Sequence, residues 1–461
     1  MNRRTFLKAS GGAALAFAAP SQRPNILFIM TDQQFAEAMS CRIGTRYLRT
    51  PHMDSLAANG MLFERAYCAN PLCVPSRTSL FTGRYPTETG VETNDQVKDH
   101  LDSRKFPLMG SIFKRAGYAT GYFGKWHLPY DQRKPETHGF DIVVPNKKQG
   151  GDVGTEVHAA EFIRANAGKP FLAVASFLNP HNICQWPRGE AFSEGDPGTP
   201  PPVDQCPPRR PNYGTPKNET DTILLMRRSY QATRMFPVGN YGEADWRRYI
   251  WAYYRMIEKV DALIGKVIES VRGAGLEQRT VIVFTADHGD CQGAHGWNQK
   301  TVFYDEASRV PFIVSYKGTT PRGVARRLVH TGVDLIPTLC SYAGIPVPQG
   351  LAGLSMKDTA NGKGDRDPRE FVVACNRMVQ GAEIDGRLPT PDGRMVRSQQ
   401  YKYCVYSEGV RRESLVDMQE DSSEMTNLAG EPRYKNVLAR HRVLLAGWAR
   451  QTGDTFAIPK G

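Results

Sequence analysis

The chain has 461 residues, 40% hydrophobic and 23% charged, the ordinary balance of a folded globular protein with room for one large α/β domain and a smaller one. No apolar run is long enough to span a bilayer. The formal net charge of +12 draws anions to the surface. There is no helix-turn-helix, zinc-finger or aromatic-plus-glycine signature, so nucleic acid is not the expected partner.

Residues 1–18 read as a targeting segment. Arg3 and Arg4 precede Phe6, Leu7 and Lys8, and an uncharged Ala- and Gly-rich run follows, with small residues at Ala16 and Ala18. The arginine pair resembles a twin-arginine export signal, so the expectation is a chain handed to the twin-arginine machinery already folded, for a bacterial periplasm or beyond.

Residues 25–30 form a short continuous apolar run, as for a strand buried on both faces, ending at Thr31-Asp32-Gln33. Helices are predicted over 51–59 and 106–116, stopped by Gly60 and Gly117. A strand over 118–123 leads into Gly124-Lys125-Trp126-His127. A helix over 157–166 and a strand over 170–178 follow, and the strand runs into Asn179-Pro180-His181. Residues 184–242 break the pattern with Pro-, Gly- and charge-rich sequence that includes Arg209 and Arg210. A loop insertion of this length is expected to border an active site. The clearest helix covers 246–272, where Ile250, Tyr254, Ile257, Val260, Ile264, Val267 and Val271 recur at three- and four-residue steps. A strand over 280–285 then meets Ala286-Asp287-His288-Gly289-Asp290. Strands alternating with helices predict a mostly parallel sheet covered on both faces, over residues 22–365. Strand-like segments at 371–374, 394–397 and 401–406 and a terminal helix over 434–450 predict a smaller antiparallel α+β unit over 366–461. The nine cysteines show no C-x-x-C pairing, so a thiolate zinc cluster is unsupported. Their scattered spacing permits disulfides without demanding them.

The most specific stretch is Cys73-Val74-Pro75-Ser76-Arg77, followed by Thr78-Ser79-Leu80-Phe81-Thr82-Gly83-Arg84. A lone cysteine at a helix start is ordinarily a small buried hydrophobe. C-x-P-S-R with T-G-R behind it, however, resembles the modification signature of the type I sulfatases, members of the alkaline-phosphatase-like superfamily. The resemblance implies that a formylglycine-generating maturation enzyme oxidises Cys73 to an aldehyde whose hydrate is the nucleophile. It also implies an alkaline-phosphatase-like sheet with a small C-terminal antiparallel one, and hydrolysis of sulfate esters, on a sulfated carbohydrate or polysaccharide.

In open α/β sheets, ligands bind beyond the carboxyl ends of the strands. Asp32-Gln33, Lys125 with His127, His181, and Asp287-His288 all fall at such ends, so five segments, counting Cys73, are expected to converge. Asp32, Gln33, Asp287 and His288 offer two carboxylates, an amide oxygen and an imidazole, hard donors that suit Ca²⁺, Mg²⁺ or Mn²⁺. The resemblance points to Ca²⁺, although many sulfatases carry a second Asp where this chain has Gln33, which leaves the site one negative charge weaker. Arg77 lies one helical turn after Cys73. Lys125 and His127 alternate along an extended segment, so both face one pocket if Trp126 faces the core. Lys300 resembles the family's sulfate-binding lysine and His181 a histidine near the leaving-group oxygen. Together these cations would stabilise the charge of a sulfuryl group in the transition state.

The implied mechanism has one hydroxyl of the aldehyde hydrate attack sulfur in line while a protonated His or Lys assists the departing alcohol. The second hydroxyl then loses its proton, with His127 a candidate base, and sulfate is expelled. A thiol has no second hydroxyl and so no such exit. A phosphonate monoester or phosphodiester hydrolase with the same chemistry is the alternative that Gln33 keeps open. The other is a non-catalytic glycan-binding protein with an unconverted Cys73. Candidates for the recognition surface are residues 94–100, Arg209 with Arg210, and Cys375-Asn376-Arg377.

Overall fold

The computed structural model describes residues 23–146, 151–192, 194–364 and 369–459. The targeting segment expected over 1–18 lies outside the described residues.

The larger sheet contains β1 (Asn25–Asp32), β2 (Met61–Tyr67), β3 (Ala119–Gly124), β4 (Ile142–Pro145), β5 (Phe171–Pro180), β6 (Thr280–Ala286), β7 (Phe312–Ser315) and β8 (Gly323–His330). Their order is β4-β3-β5-β1-β6-β7-β2-β8. The run from β4 to β6 is wholly parallel, β7 is antiparallel to both neighbours, and β2 and β8 are parallel. All eight residues of β1 are buried, because both faces are covered. Ile26, Phe28 and Met30 join one core with Phe81, Leu335 and Ile336. Leu27 and Ile29, one step out of phase, join another with Phe162, Tyr253 and Ile257. That two-residue alternation is the pleat of the strand, and each large apolar side chain so buried contributes roughly 1.5–3 kcal/mol. The helices Cys73–Thr82 and Thr331–Ala343 cover the first face, and Thr155–Ala165 and Glu243–Gly273 the second.

The long helix starts three residues earlier than its apolar stripe predicts. Glu243 and Asp245 occupy its first turn, where carboxylates complement the helix dipole, and Asp245 Oδ2 accepts from Gly242 N at 2.9 Å. Within 184–242 the structure has a helix, Asp221–Gln231, where the composition predicts only loop. Thr220 Oγ1 accepts from Ile223 N at its start, and Ile223, Met226 and Tyr230 bury one face against Trp297 and Phe303. The helix Thr331–Ala343 carries Pro337 inside it, which reads in sequence as a helix breaker.

The smaller sheet is antiparallel, with β9 (Phe371–Arg377), β10 (Asp392–Ser398), β11 (Tyr401–Tyr406) and β12 (Glu413–Asp417) in the order β12-β11-β10-β9. The helix Lys435–Thr452 covers one face through Leu438, Leu445 and Trp448. The other face packs on Tyr67 and Phe303 of the main domain. There Lys402 Nζ lies 2.5 Å from Asp305 Oδ1 and 2.7 Å from Glu424 Oε1. The architecture is thus a large, mostly parallel α/β sheet flanked by helices, joined to a C-terminal antiparallel sheet. All nine cysteines are free. Among the described residues no helix is long and apolar enough to cross a membrane.

Candidate active site

Four adjacent parallel strands, β3-β5-β1-β6, end on one edge of the sheet. Lys125 and His127 follow β3, His181 follows β5, Asp32 ends β1, and Asp287 and His288 follow β6. Cys73 enters separately, as the first residue of the helix Cys73–Thr82. Pro75 falls in its first turn, where a missing N–H costs nothing. Asn94 Oδ1 accepts from Val74 N at 3.0 Å, satisfying a donor the helix leaves open. Gly83, at φ 71°, ends the helix in the left-handed conformation. Every residue of this helix is buried.

The Cys73 sulfur stands where the oxygen of a converted residue would be. Lys300 Nζ donates to Cys73 Sγ at 3.0 Å, His288 Nε2 lies 3.2 Å from it, and Asp32 Oδ1 is at 3.8 Å. His127 and His181 are both close enough to Cys73 to feel its charge. Trp126 between Lys125 and His127 turns into the core, where its Nε1 donates to Tyr130 O at 2.8 Å. Burial and Asp32 push the Cys73 thiol up, but Lys125, Lys300 and His288 outweigh them and hold it well below its usual range. The surroundings therefore favour negative charge at this position.

One ligand atom each from Asp32, Cys73, Asp287 and His288 lie within 4.8 Å of one another, all buried. His288 Nδ1 is 3.0 Å from Gly289 O. A carbonyl only accepts, so Nδ1 carries a proton, and Nε2 is the nitrogen that faces the cluster. Burial first, then Asp32, push the Asp287 carboxyl up to about 6. Burial also pushes Asp32 up, but Lys125, His181, Arg77 and Lys300 overcome it and hold it well below the usual carboxylate range.

Arg77 lies one helical turn after Cys73, as its spacing predicts, but its guanidinium is spent on the two carboxylates. Nε donates to Asp287 Oδ2 at 2.8 Å, Nη2 to Asp32 Oδ2 at 3.0 Å, and Nη1 to Ser176 Oγ at 2.9 Å and Lys125 O at 3.1 Å. Lys125 Nζ reaches Asp32 Oδ2 at 2.5 Å. Gln33 is gripped at both ends. Its Nε2 donates to Asp290 Oδ2 at 2.7 Å and its Oε1 accepts from Lys300 Nζ at 2.9 Å. A carboxylate only accepts and an ammonium only donates, so the amide has one orientation, and its oxygen faces Lys300. Asp290 is held in turn by Tyr249 OH at 3.1 Å, and Tyr253 OH donates to Gln33 O at 2.7 Å. Ser176, Tyr249 and Tyr253 carry no motif in sequence, and Asp290 closes the Asp287-His288 motif without a role assigned to it; only the fold reveals what these four do.

Gln33 (φ 68°), His127 (φ 48°), Gln299 (φ 62°) and Thr301 (φ 83°) are left-handed without being glycine, and such strain gathers where a site over-determines the backbone. Three of the candidate recognition residues bond to backbone around the site. Asn94 caps the Cys73 helix, Asn376 Nδ2 donates to Thr301 O at 2.6 Å, and Cys375 N donates to Ala69 O at 2.9 Å. Arg210 pairs with Glu306 at 3.1 Å, and the Arg209 guanidinium lies 4.0 Å from the centre of the Tyr213 ring. Arg377 is half-exposed, 3.7 Å from Asp392.

Cys73 among carboxylates, an imidazole and lysines, at the strand ends of an α/β sheet, is an arrangement suited to an anionic ester. The sulfatase family profile matches residues 24–345, and that of the N-sulphoglucosamine sulphohydrolase C-terminal region matches residues 293–449. The Delta 4,5-hexuronate-2-O-sulfatase of Bacteroides thetaiotaomicron is 31% identical, over 96% of this chain and 93% of its own. An ulvan-active sulfatase of Formosa agariphila is 28% identical, over 94% of this chain and 82% of its own. The solved structure of a 2-O GAG sulfatase superimposes with a TM-score of 0.81 at 29% identity, covering 95% of both chains. A phosphonate monoester hydrolase from Silicibacter pomeroyi, 22% identical over 94% of this chain and 96% of its own, shares the fold with a TM-score of 0.73. The chain belongs to the sulfatase family and is a sulfuric ester hydrolase.

Proposed function

We propose that this sulfatase removes sulfate from an anionic carbohydrate, of the glycosaminoglycan or algal-polysaccharide kind, through a formylglycine made from Cys73 and with Ca²⁺ at Asp32, Gln33, Asp287 and His288. The observation that carries the reading is the position of Cys73 Sγ, 3.0 Å from Lys300 Nζ and 3.2 Å from His288 Nε2, at the start of a wholly buried helix. The substrates named for the relatives, a hexuronate 2-sulfate and ulvan, support the substrate class.

The donor set fits a hard divalent cation. Two buried carboxylates and an imidazole nitrogen face one another, and burial raises Asp287 to about 6, a cost that a bound cation would remove. Gln33 can join through Oε1 if Lys300 releases it. Bound, the cation would polarise the sulfate oxygens and the nucleophile, and formylglycine would supply a hydroxyl for attack and a second one for release.

The chain's own residues do the rest. Lys125 and Lys300 neutralise the sulfate oxygens. Burial, with Lys125 and Lys300, holds His181 down to about 4, and burial holds His127 below its usual range. His127 is therefore ready to accept a proton. His181 becomes a donor to the leaving oxygen when an anionic substrate offsets the two lysines.

The Cys73 peptide from the native host is expected to be about 18 Da lighter than the thiol form, the difference between cysteine and its aldehyde. An unshifted peptide from active enzyme would end the formylglycine reading. In a panel of aryl sulfate, sulfated glycan, phosphodiester and phosphonate monoester, the highest kcat/KM is expected on a sulfate; a phosphoester optimum would favour the alternative. Exhaustive chelation is expected to abolish turnover. At 100 Kd of added Ca²⁺ the fold should gain about 2.7 kcal/mol, a Tm rise of at least about 2 °C. Parallel Mg²⁺ and Mn²⁺ titrations identify the ion, and a Tm indifferent to all three would remove the metal.

A further inference from the structure

The segment after His181 carries one arginine, Arg188, close to Cys184, which itself packs on Gln33. Arg188 Nε donates to Met235 O at 3.2 Å. The same carbonyl accepts from Gln299 Nε2 at 2.9 Å, and Gln299 immediately precedes Lys300, the residue on the Cys73 sulfur. Arg188 is therefore tied through one carbonyl to the loop that carries the sulfate lysine, and through seven residues of its own chain to His181. Below it, Cys184 is buried against Gln33, whose Nε2 is 3.4 Å from the thiol sulfur. Arg234, beside Met235 in sequence, is exposed, and Met235 is 42% exposed.

With Nε engaged, the free edge of the Arg188 guanidinium is the Nη1–Nη2 fork, the geometry that grips a carboxylate through two parallel hydrogen bonds. A carboxylate already lies near that edge. Glu190 Oε2 is 3.7 Å from Nη1, too long for a hydrogen bond, and the Glu190 side chain is 51% exposed. Such a loose, solvated pair contributes little and is readily replaced.

We propose that Arg188 is a specificity-determining residue that binds the carboxylate of a uronic acid within the sulfated substrate, with Glu190 holding its place until substrate arrives. This rests on the sulfated-glycan reading of the preceding subsection and adds which sugar is taken. Arg188 touches no reacting atom. It selects the sugar whose carboxylate reaches the fork while its sulfate lies at Cys73.

The test compares a sulfated uronic acid with its carboxyl-reduced counterpart, the sulfate at the same position in both. The wild-type enzyme is expected to prefer the carboxylated member in kcat/KM. Arg188→Ala is expected to cut that preference about 10- to 100-fold, the range for a hydrogen bond to a charged group, almost entirely through KM. Arg188→Lys should fall between, having one point charge in place of a fork. Glu190→Gln, which removes the competitor, should lower KM for the carboxylated member. A wild type indifferent to the carboxylate, or an Arg188→Ala that loses equally on both members, overturns the proposal. If Arg188→Ala melts early, the wild-type ratio and Glu190→Gln decide alone. Wild-type enzyme that turns over aryl sulfate but neither sugar would instead overturn the glycan reading.

Discussion

Cys73→Ala is expected to lower kcat/KM on sulfate esters by on the order of 10⁴-fold or more, while changing stability by less than about 1 kcal/mol. The two effects separate because the side chain does so little for the fold. Alanine is the best helix former, and the cap on Val74 N comes from Asn94, not from Cys73. What the substitution removes is one sulfur whose neighbours are Lys300 Nζ, His288 Nε2 and Asp32 Oδ1. Those polar partners can hold a water in its place, so no dry cavity forms. Catalysis, on the proposed reading, loses the atom that attacks. Cys73→Ser sharpens the test. A serine keeps one hydroxyl among the same groups, so it could take the sulfuryl group from an aryl sulfate but could not expel it. The expected result is a burst of no more than one equivalent of phenol, with the sulfuryl group retained on the protein. Steady turnover by either variant would mean that the nucleophile lies elsewhere.

The parts of this molecule that sequence exposes are those whose reasons are local. The apolar run of β1, the stripe of Glu243–Gly273 and the polar residues just past β3, β5 and β6 each follow from neighbours within a few positions. The helix Asp221–Gln231 is hidden because its apolar face is only Ile223, Met226 and Tyr230, set in Pro-rich surroundings. β7 has four residues and β2 carries Glu64 and Arg65, so neither shows a clear period. Within the site, the convergence of these segments is legible in sequence, but the partnerships are not. Spacing puts Arg77 next to Cys73, yet the charges it answers to are 45 positions back at Asp32 and 210 positions ahead at Asp287. Asp290 holds Gln33 across 257 positions, and no local pattern announces such a contact. The left-handed backbone at Gln33, His127 and Thr301 is equally silent, since no glycine marks it.

Arg77→Met is expected to destabilise the chelated protein by about 3–5 kcal/mol, the cost of breaking a buried ion pair on one side. The guanidinium and both of its carboxylate partners are completely buried. Methionine fills most of the space but donates nothing. Asp32 Oδ2 would keep Lys125 Nζ, whereas Asp287 would keep only His288, 3.7 Å from Oδ1. Burial and Asp32 already raise Asp287 to about 6 with Arg77 present, and removing the arginine must raise it further. The sign of the pH dependence follows. A carboxyl with a folded pKa above its unfolded one binds its proton more readily in the fold, so it favours the fold at low pH, and that contribution is lost as pH rises through the folded pKa. The deficit of Arg77→Met should therefore be smaller near pH 5, where Asp287 can be protonated, than near pH 8, where it must be ionised in a buried site or the proton must be drawn from water. Added Ca²⁺ should recover part of the loss at pH 8, by bringing positive charge back to the same two carboxylates. Arg77→Lys should lie between, since one ammonium cannot span both carboxylates as the planar fork does. Denaturant unfolding at the two pH values, with and without Ca²⁺, measures all of this. A loss below about 1 kcal/mol, equal at both pH values, would show that Asp32 and Asp287 do not carry buried charge and would take the cation site with it.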